Sequence, residues 1–293
     1  MNKMMSNKRI IALYMLPALL MLGAMIYIPI ALTAYYGLHN WNGIQAMEFI
    51  GLTNYIELLG DRAFWSSAFH SLLLAVFSCL SLVVYLAVSL VLASKIKGAN
   101  VLRKIYLIPM LLSSVAIAQL WLKVYHPSNG LINLFLEQLG VVNTPEWLSN
   151  TDLVLFSIFL PILWQYAGFY ILIYYAALKG VPKEVEEAAT IDGASSRQIA
   201  LRIKVPLITE VLKVTVVLAV VGSLKYFDLI YVMTGGGPNG ASEVMASYMY
   251  RIAFKSFDFG YASAVSFFLL LICLTATWII RRLTASSEQT QYS

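Results

Sequence analysis

The sequence predicts an all-α integral membrane protein, and three observations carry that prediction. Mean hydropathy is +0.75. Only 12% of the 293 residues are charged, against roughly 25% in a soluble domain. The apolar residues also gather into runs of about 20, each long enough to cross the hydrocarbon core, roughly 30 Å thick, as a helix whose backbone groups satisfy one another. The chain, 1–293, reads as a single transmembrane domain.

Six runs are expected to span: roughly 10–35, 70–93, 106–124, 153–178, 211–233 and 261–280. The first follows Lys8 and Arg9; it is too long for a signal-peptide core and lacks a small-residue cleavage site, so it reads as a retained span. The second is preceded by an aromatic-rich loop, 37–69, whose Trp41 and Trp65 suit the headgroup boundary. After the third, Pro127-Ser128-Asn129-Gly130 marks a turn, and the amphipathic piece 131–139 is expected on the membrane surface. The fourth holds "WQYAGFY", Trp164 to Tyr170. The fifth is the least apolar, with Ser223, Lys225, Tyr226 and Asp228. Gly235-Gly236-Gly237-Pro238 then forces a sharp turn before the sixth.

Lys and Arg set the orientation. The amino terminus (Lys3, Lys8, Arg9), the second connection (Lys95, Lys97, Arg103, Lys104), the fourth (Lys179, Lys183, Arg197, Arg202, Lys204) and the carboxyl terminus (Arg281, Arg282) hold 14 of the 20 basic residues. These regions, both termini among them, are expected on the cytoplasmic side. The other side offsets Arg62, Lys123, Arg251 and Lys255 with Glu48, Glu57, Asp61, Glu137 and Glu146. The net charge of +5 is thus a topology signal, and no nucleic-acid partner is called for. Cys79 and Cys273 lie inside spans, and His39, His70 and His126 are scattered. No metal cluster, cofactor motif, phosphate loop or nucleophile elbow is present in the sequence, so no enzymatic role is expected.

The stretch 182–206, "PKEVEEAATIDGASSRQIALRIKVP", interrupts this apolar chain. Pro182 suits a helix start, and Glu184, Glu186 and Glu187 follow where acids favour the helix dipole. Val185, Ala188, Ala189 and Asp192 recur at helical spacing, and Gly193 ends the helix. A second helical stretch, 195–203, leads to Pro206 and the fifth span. Helices shorter than about 12 residues are marginal alone in water. The small apolar face therefore predicts a docking surface in a cleft of another protein, where the glutamates would meet basic residues.

These residues resemble the EAA loop of permease subunits in binding-protein-dependent ABC importers, whose pattern is Glu-Ala-Ala, three residues, Gly, nine residues, then Ile-x-Leu-Pro. Glu187, Ala188, Ala189, Gly193, Ile203 and Pro206 fall on those spacings, and Val205 stands for the Leu. "FIGLTNYIELLGDRAFW", "YLIPMLLSSVAIAQLWLKVYHPSNGLIN" and "VMTGGGPNGA" are similar to segments of carbohydrate permeases of the maltose, multiple-sugar and glycerol-3-phosphate kind, the last to the first of the two permeases in such systems. The resemblance implies the six-span permease core in a bacterial cytoplasmic membrane. It also implies a coupling helix that includes Glu187, Ala188, Ala189, Asp192 and Gly193. The partners implied are a second homologous permease, two ATP-binding subunits, an extracytoplasmic sugar-binding protein, the sugar itself and membrane lipid.

Polar groups inside spans are costly and mark candidate pathways. Gln165 and Phe169 share a face with Tyr166 close by, so an amide and rings could meet a sugar; the same amide serves equally to tie helices together. Lys225 and Asp228, three apart, are expected to form an intramembrane charge pair. The resemblance places Ser114, Gln165, Tyr166, Phe169 and Ser223 along the substrate path. Two other readings stand beside this one: a permease for a non-sugar solute, and a stand-alone secondary transporter. The latter should show inverted repeats, broken helices or acid relays, none of which the sequence displays.

Overall fold

The structure, a computed structural model, describes residues 8–94 and 98–285; Lys3, Lys95 and Lys97, counted above for orientation, lie outside them. In chain order the elements are α1 Lys8–Leu22, a π-helical turn Gly23–Tyr27, α2 Ile28–Tyr36, strands β1 His39–Asn40 and β2 Glu48–Phe49, α3 Thr53–Gly60, α4 Arg62–Ala93, α5 Ala99–Leu111 and α6 Ser114–Val124. There follow α7 Leu131–Gln138, α8 Val154–Lys179, α9 Lys183–Ile191, α10 Ser196–Gln198, a second π-helical turn Ile199–Lys204, α11 Val205–Leu207, α12 Thr209–Leu224, α13 Asp228–Met233, α14 Met245–Phe254 and α15 Phe259–Ala285.

Ile11–Tyr36, Arg62–Ala93, Val154–Lys179, Thr209–Met233 and Phe259–Leu283 are each long and apolar enough to cross a membrane, and α5 with α6 supplies a sixth span if the two are taken as one. Two expectations are corrected here. The third run is broken: Lys104–Leu111 and Ser114–Val124 meet at 104°. Pro109 removes a backbone donor, Leu112 turns extended, and the Ser113 side chain restarts the helix by accepting from the Ala116 amide at 3.2 Å. A broken helix, set down above as a mark of stand-alone transporters, therefore occurs in this chain. The second helix, in turn, begins at Arg62 instead of His70, because nothing in 62–69 interrupts helical propensity.

One compact unit comprises the chain up to Asp61 together with Met249–Leu271. Its antiparallel pair matches His39 with Phe49 and Asn40 with Glu48. Asn54 Nδ2 donates to the carbonyls of Gly37 and His39, both at 3.0 Å, and the Tyr261 hydroxyl donates to Asp61 Oδ2 at 2.7 Å.

The second unit runs from Arg62 to Tyr248 and takes in the chain from Ile272. Among the described residues its core includes three clusters along the helices. Leu74, Ile117, Ile158, Leu229 and Ile230 make one; Leu82, Tyr170, Ile171 and Ala219 a second; Ala93, Leu178, Val181 and Ile208 a third. Hydroxyls stitch the helices where hydrocarbon offers no partner. Tyr85 donates to the Leu163 carbonyl at 2.9 Å, Ser89 to that of Ile171 at 3.1 Å, and Tyr174 meets Thr215 at 2.7 Å. Gly168 lets α8 close on α5: a Cβ there would strike the Tyr106 carbonyl oxygen.

Candidate functional site

Helix α9 is built as its sequence dictates at both ends. Pro182 stands at the N-cap, with Glu184 and Glu186 in the first turn. At the other end Gly193 adopts φ +82°. The Ala194 amide reaches back to the Ala189 carbonyl at 2.9 Å and the Gly193 amide to that of Thr190 at 3.1 Å, the paired bonds of a Schellman termination. The next helix starts immediately: Ser195 and Gln198 form a capping box, with the Ser195 amide donating to Gln198 Oε1 at 2.7 Å.

The expected small apolar face of α9 divides. Ala189 turns inward and is buried, whereas Val185, Glu187, Ala188, Asp192 and Gly193 are exposed, as is Ile191 at 86%. Glu186 is engaged within the chain, 2.6 Å from Lys204, so the expectation that all the glutamates await a partner's basic residues is corrected. Between α9 and the carboxyl-terminal ends of α4 and α8 lies a recess of about 660 Å³ reached by Lys179, Lys183 and Glu187.

Within the bundle, α4, α8 and α12 enclose a cavity of about 170 Å³. Tyr166, Phe169 and Ser223, all expected on the path, line it with Tyr85, Tyr170 and Tyr226. Ser223 Oγ donates to Ser78 Oγ at 2.8 Å. Tyr85 and Tyr170 stack with their planes 4° apart, and Tyr166 meets Tyr226 edge to face with centroids 6.2 Å apart. Gln165 and Ser114 stand behind this wall. Gln165 Nε2 donates to Ser114 Oγ at 3.3 Å, and the Tyr226 hydroxyl donates to Gln165 Oε1 at 3.4 Å. The amide thus ties α8 to α6 and to the residues after α12.

Sequence reasoning missed Ser78, Ser81 and Tyr85, which line the cavity from α4. Their spacing, i, i+3 and i+7, was the available signal. It also passed over Tyr226 as a wall residue.

The expected pairing of Lys225 with Asp228 is corrected: both are exposed, and no ion pair joins the two. Lys225 closes α12 and Asp228 opens α13, so each charge faces the helix end that favours it.

Past α13 the glycine turn holds Gly235 at φ +60° and Gly236 at φ +90°, with a cis bond from Gly237 to Pro238. Ser242 Oγ bonds the Gly237 carbonyl at 2.7 Å and Thr234 Oγ1 at 2.8 Å, fixing the loop. Under it opens a pocket of about 610 Å³ lined by Tyr125, His126, Glu146, Trp147 and Thr234.

Comparison with known proteins agrees with this architecture. The family described as "Binding-protein-dependent transport system inner membrane component" matches residues 84–288. A probable ABC transporter permease protein of Pyrococcus horikoshii is 34% identical over 267 residues, covering 90% of this chain and 91% of that protein. The trehalose/maltose transport system permease protein MalF of Thermococcus litoralis is 34% identical over 270 residues, covering 90% of each. A crystal structure of a bacterial ABC transporter involved in the import of the acidic polysaccharide alginate superposes with a TM-score of 0.82 at 22% identity, over 95% of this chain and 96% of that one, a likeness of fold. By sequence and by fold, the chain belongs to the family of inner membrane components of binding-protein-dependent transport systems.

Proposed function

We propose that this chain is the translocation subunit of an ATP-driven sugar importer, receiving sugar from an extracytoplasmic binding protein and taking its energy from separate ATP-binding subunits. The observation that carries the reading is α9 itself: a Schellman-closed helix on the EAA spacing that exposes Glu187, Ala188 and Asp192 instead of burying them. That surface seats in the ATPase, two copies of which serve this chain and a second, homologous permease. Both termini lie in the cytoplasm, and the chain itself hydrolyses nothing.

Coupling follows from how α9 is fastened. Glu186 holds Lys204 in the turn that feeds α12, so a push on α9 is delivered to the fifth span. Ser223, on that span, bridges to Ser78 across the cavity. Displacing α12 therefore breaks or remakes the contact that narrows the cavity, which is how ATPase closure would alternate its access. The wall itself suits a neutral sugar: aromatic faces for its less polar side, hydroxyls for its own.

The test is reconstitution of the chain with its genomic neighbours, measuring uptake of a labelled sugar panel against ATP hydrolysed. Sugar uptake that disappears without this chain supports the reading. Uptake of amino acids or peptides in place of sugars overturns it.

A further inference from the structure

The pocket under the glycine turn has no part in the coupling route, yet its walls are built with care. The Trp147 indole donates to Asn133 Oδ1 at 2.7 Å, and Asn133 Nδ2 donates to the Pro127 carbonyl at 2.9 Å. The Tyr125 hydroxyl donates to the Ser157 carbonyl at 2.7 Å. These bonds use up the polar ends of both aromatic residues and leave their rings as surfaces, 5.8 Å apart by centroid. On the other wall, Thr234 and Pro238 are set by the bonds of the glycine turn.

Two polar groups of opposite character also line the pocket. His126 Nδ1 accepts from the amides of Ser128 and Asn129, both at 3.2 Å, which leaves the ring proton on Nε2 as a donor. The Glu146 carboxylate is an acceptor for hydroxyls. Ring surfaces, one N–H donor and one multiple acceptor in about 610 Å³ describe a site for a small polyhydroxylated ring. The single carboxylate disfavours an anionic one. Just behind Tyr125, with centroids 5.2 Å apart, sits Trp121, whose buried Nε1 has no hydrogen-bond partner among the described residues. An indole N–H without an acceptor is costly, and it sits one ring behind the pocket.

We propose that this pocket is a second carbohydrate site, on the outer face, in which a neutral sugar ring stacks on Trp147 while Glu146 and His126 hold its hydroxyls. The site rests on the sugar-importer reading and on the outward orientation of these loops. Its walls are fixed before the ligand arrives, so little ordering entropy opposes binding. It would hold sugar after release from the binding protein and before entry into the bundle.

The test uses the full chain in lipid nanodiscs, labelled with fluorotryptophan and titrated with glucose, maltose and glucuronate without binding protein. The fluorine resonance of Trp147 is identified by its absence in W147F. It should shift saturably with the neutral sugars, and half-saturation for glucuronate should be about fivefold higher. E146Q should narrow that gap. A resonance that responds to binding protein but to no sugar assigns the pocket to a protein loop and overturns the proposal, as does an equal shift of all the tryptophan resonances. Uptake of a sugar in cells without any Trp147 shift overturns the site alone. A shift without uptake sinks the importer reading and leaves the site standing, and loss of both removes the two together.

Discussion

Lys204 Nζ lies 2.6 Å from Glu186 Oε1, joining the exposed helix α9 to the π-helical turn that leads into the fifth span. Both side chains are partly accessible, so the pair adds little to stability, about 0–1 kcal/mol. In the proposed coupling its role is mechanical. E186Q should leave the chain inserted and the complex assembled while uptake falls several-fold and ATP hydrolysis per sugar rises. The charge swap E186K/K204E should recover part of the loss. The check is the ratio of transported sugar to phosphate released in proteoliposomes.

Gly193 stands at φ +82° with nothing within 4 Å of where a Cβ would lie, so the penalty of substituting it is conformational. G193A should cost about 1–2 kcal/mol locally and loosen the end of α9. Glu187→Lys reverses an exposed charge on the proposed docking face. Both variants should insert normally and transport poorly. Full sugar uptake with normal ATPase association in both would sink the coupling assignment.

Gln165 bonds Ser114 and Tyr226 at 3.3 and 3.4 Å, long contacts for hydrogen bonds. Q165A removes both, worth about 0.5–1.5 kcal/mol each, and frees the Tyr226 ring that lines the cavity. The KM for the cognate sugar should rise more than the maximal rate falls. S223L, which places bulk in the cavity itself, should depress the maximal rate; initial-rate uptake curves for the two variants make the comparison.

Gly168 faces the Tyr106 carbonyl so closely that any Cβ must displace backbone. Overpacking of this kind costs about 1–3 kcal/mol, so G168A should lower the unfolding temperature of the detergent-solubilised chain by several degrees. An unchanged melting curve would show that α5 and α8 separate readily, contrary to the packing described.

The sequence carried the existence of long apolar helices and the ends of α9, because both rest on strong local physics: hydrocarbon thickness for the first, the positive φ of Gly193 for the second. It did not distinguish Ala189, which turns inward, from Ala188, which stays out. Two alanines side by side offer no chemical contrast, and only the packing of neighbouring helices separates them. The cavity wall on α4 was hidden for a related reason. Ser67, Ser71, Ser81 and Ser89 all return their hydroxyls to carbonyls of their own helix. A serine in an apolar run thus reads the same whether it faces a cavity, another helix or its own backbone. The break in the third span had a visible cue in Pro109 followed by Ser113 and Ser114, but its 104° angle depends on what α5 and α6 pack against.

That break also governs solvation. Midway through the third span α5 closes with the Leu112 amide on the Pro109 carbonyl at 3.2 Å, and the first amides of α6 begin afresh from Ser113. Oil cannot solvate such groups, and protein or water must. The flank around Ser114 must therefore be wet or covered at bilayer depth, while the far side of α8, where Phe156 and Leu160 lie exposed, is free to meet lipid tails. A single kink thereby sorts the bundle into a flank that protein or water must cover and a flank open to lipid.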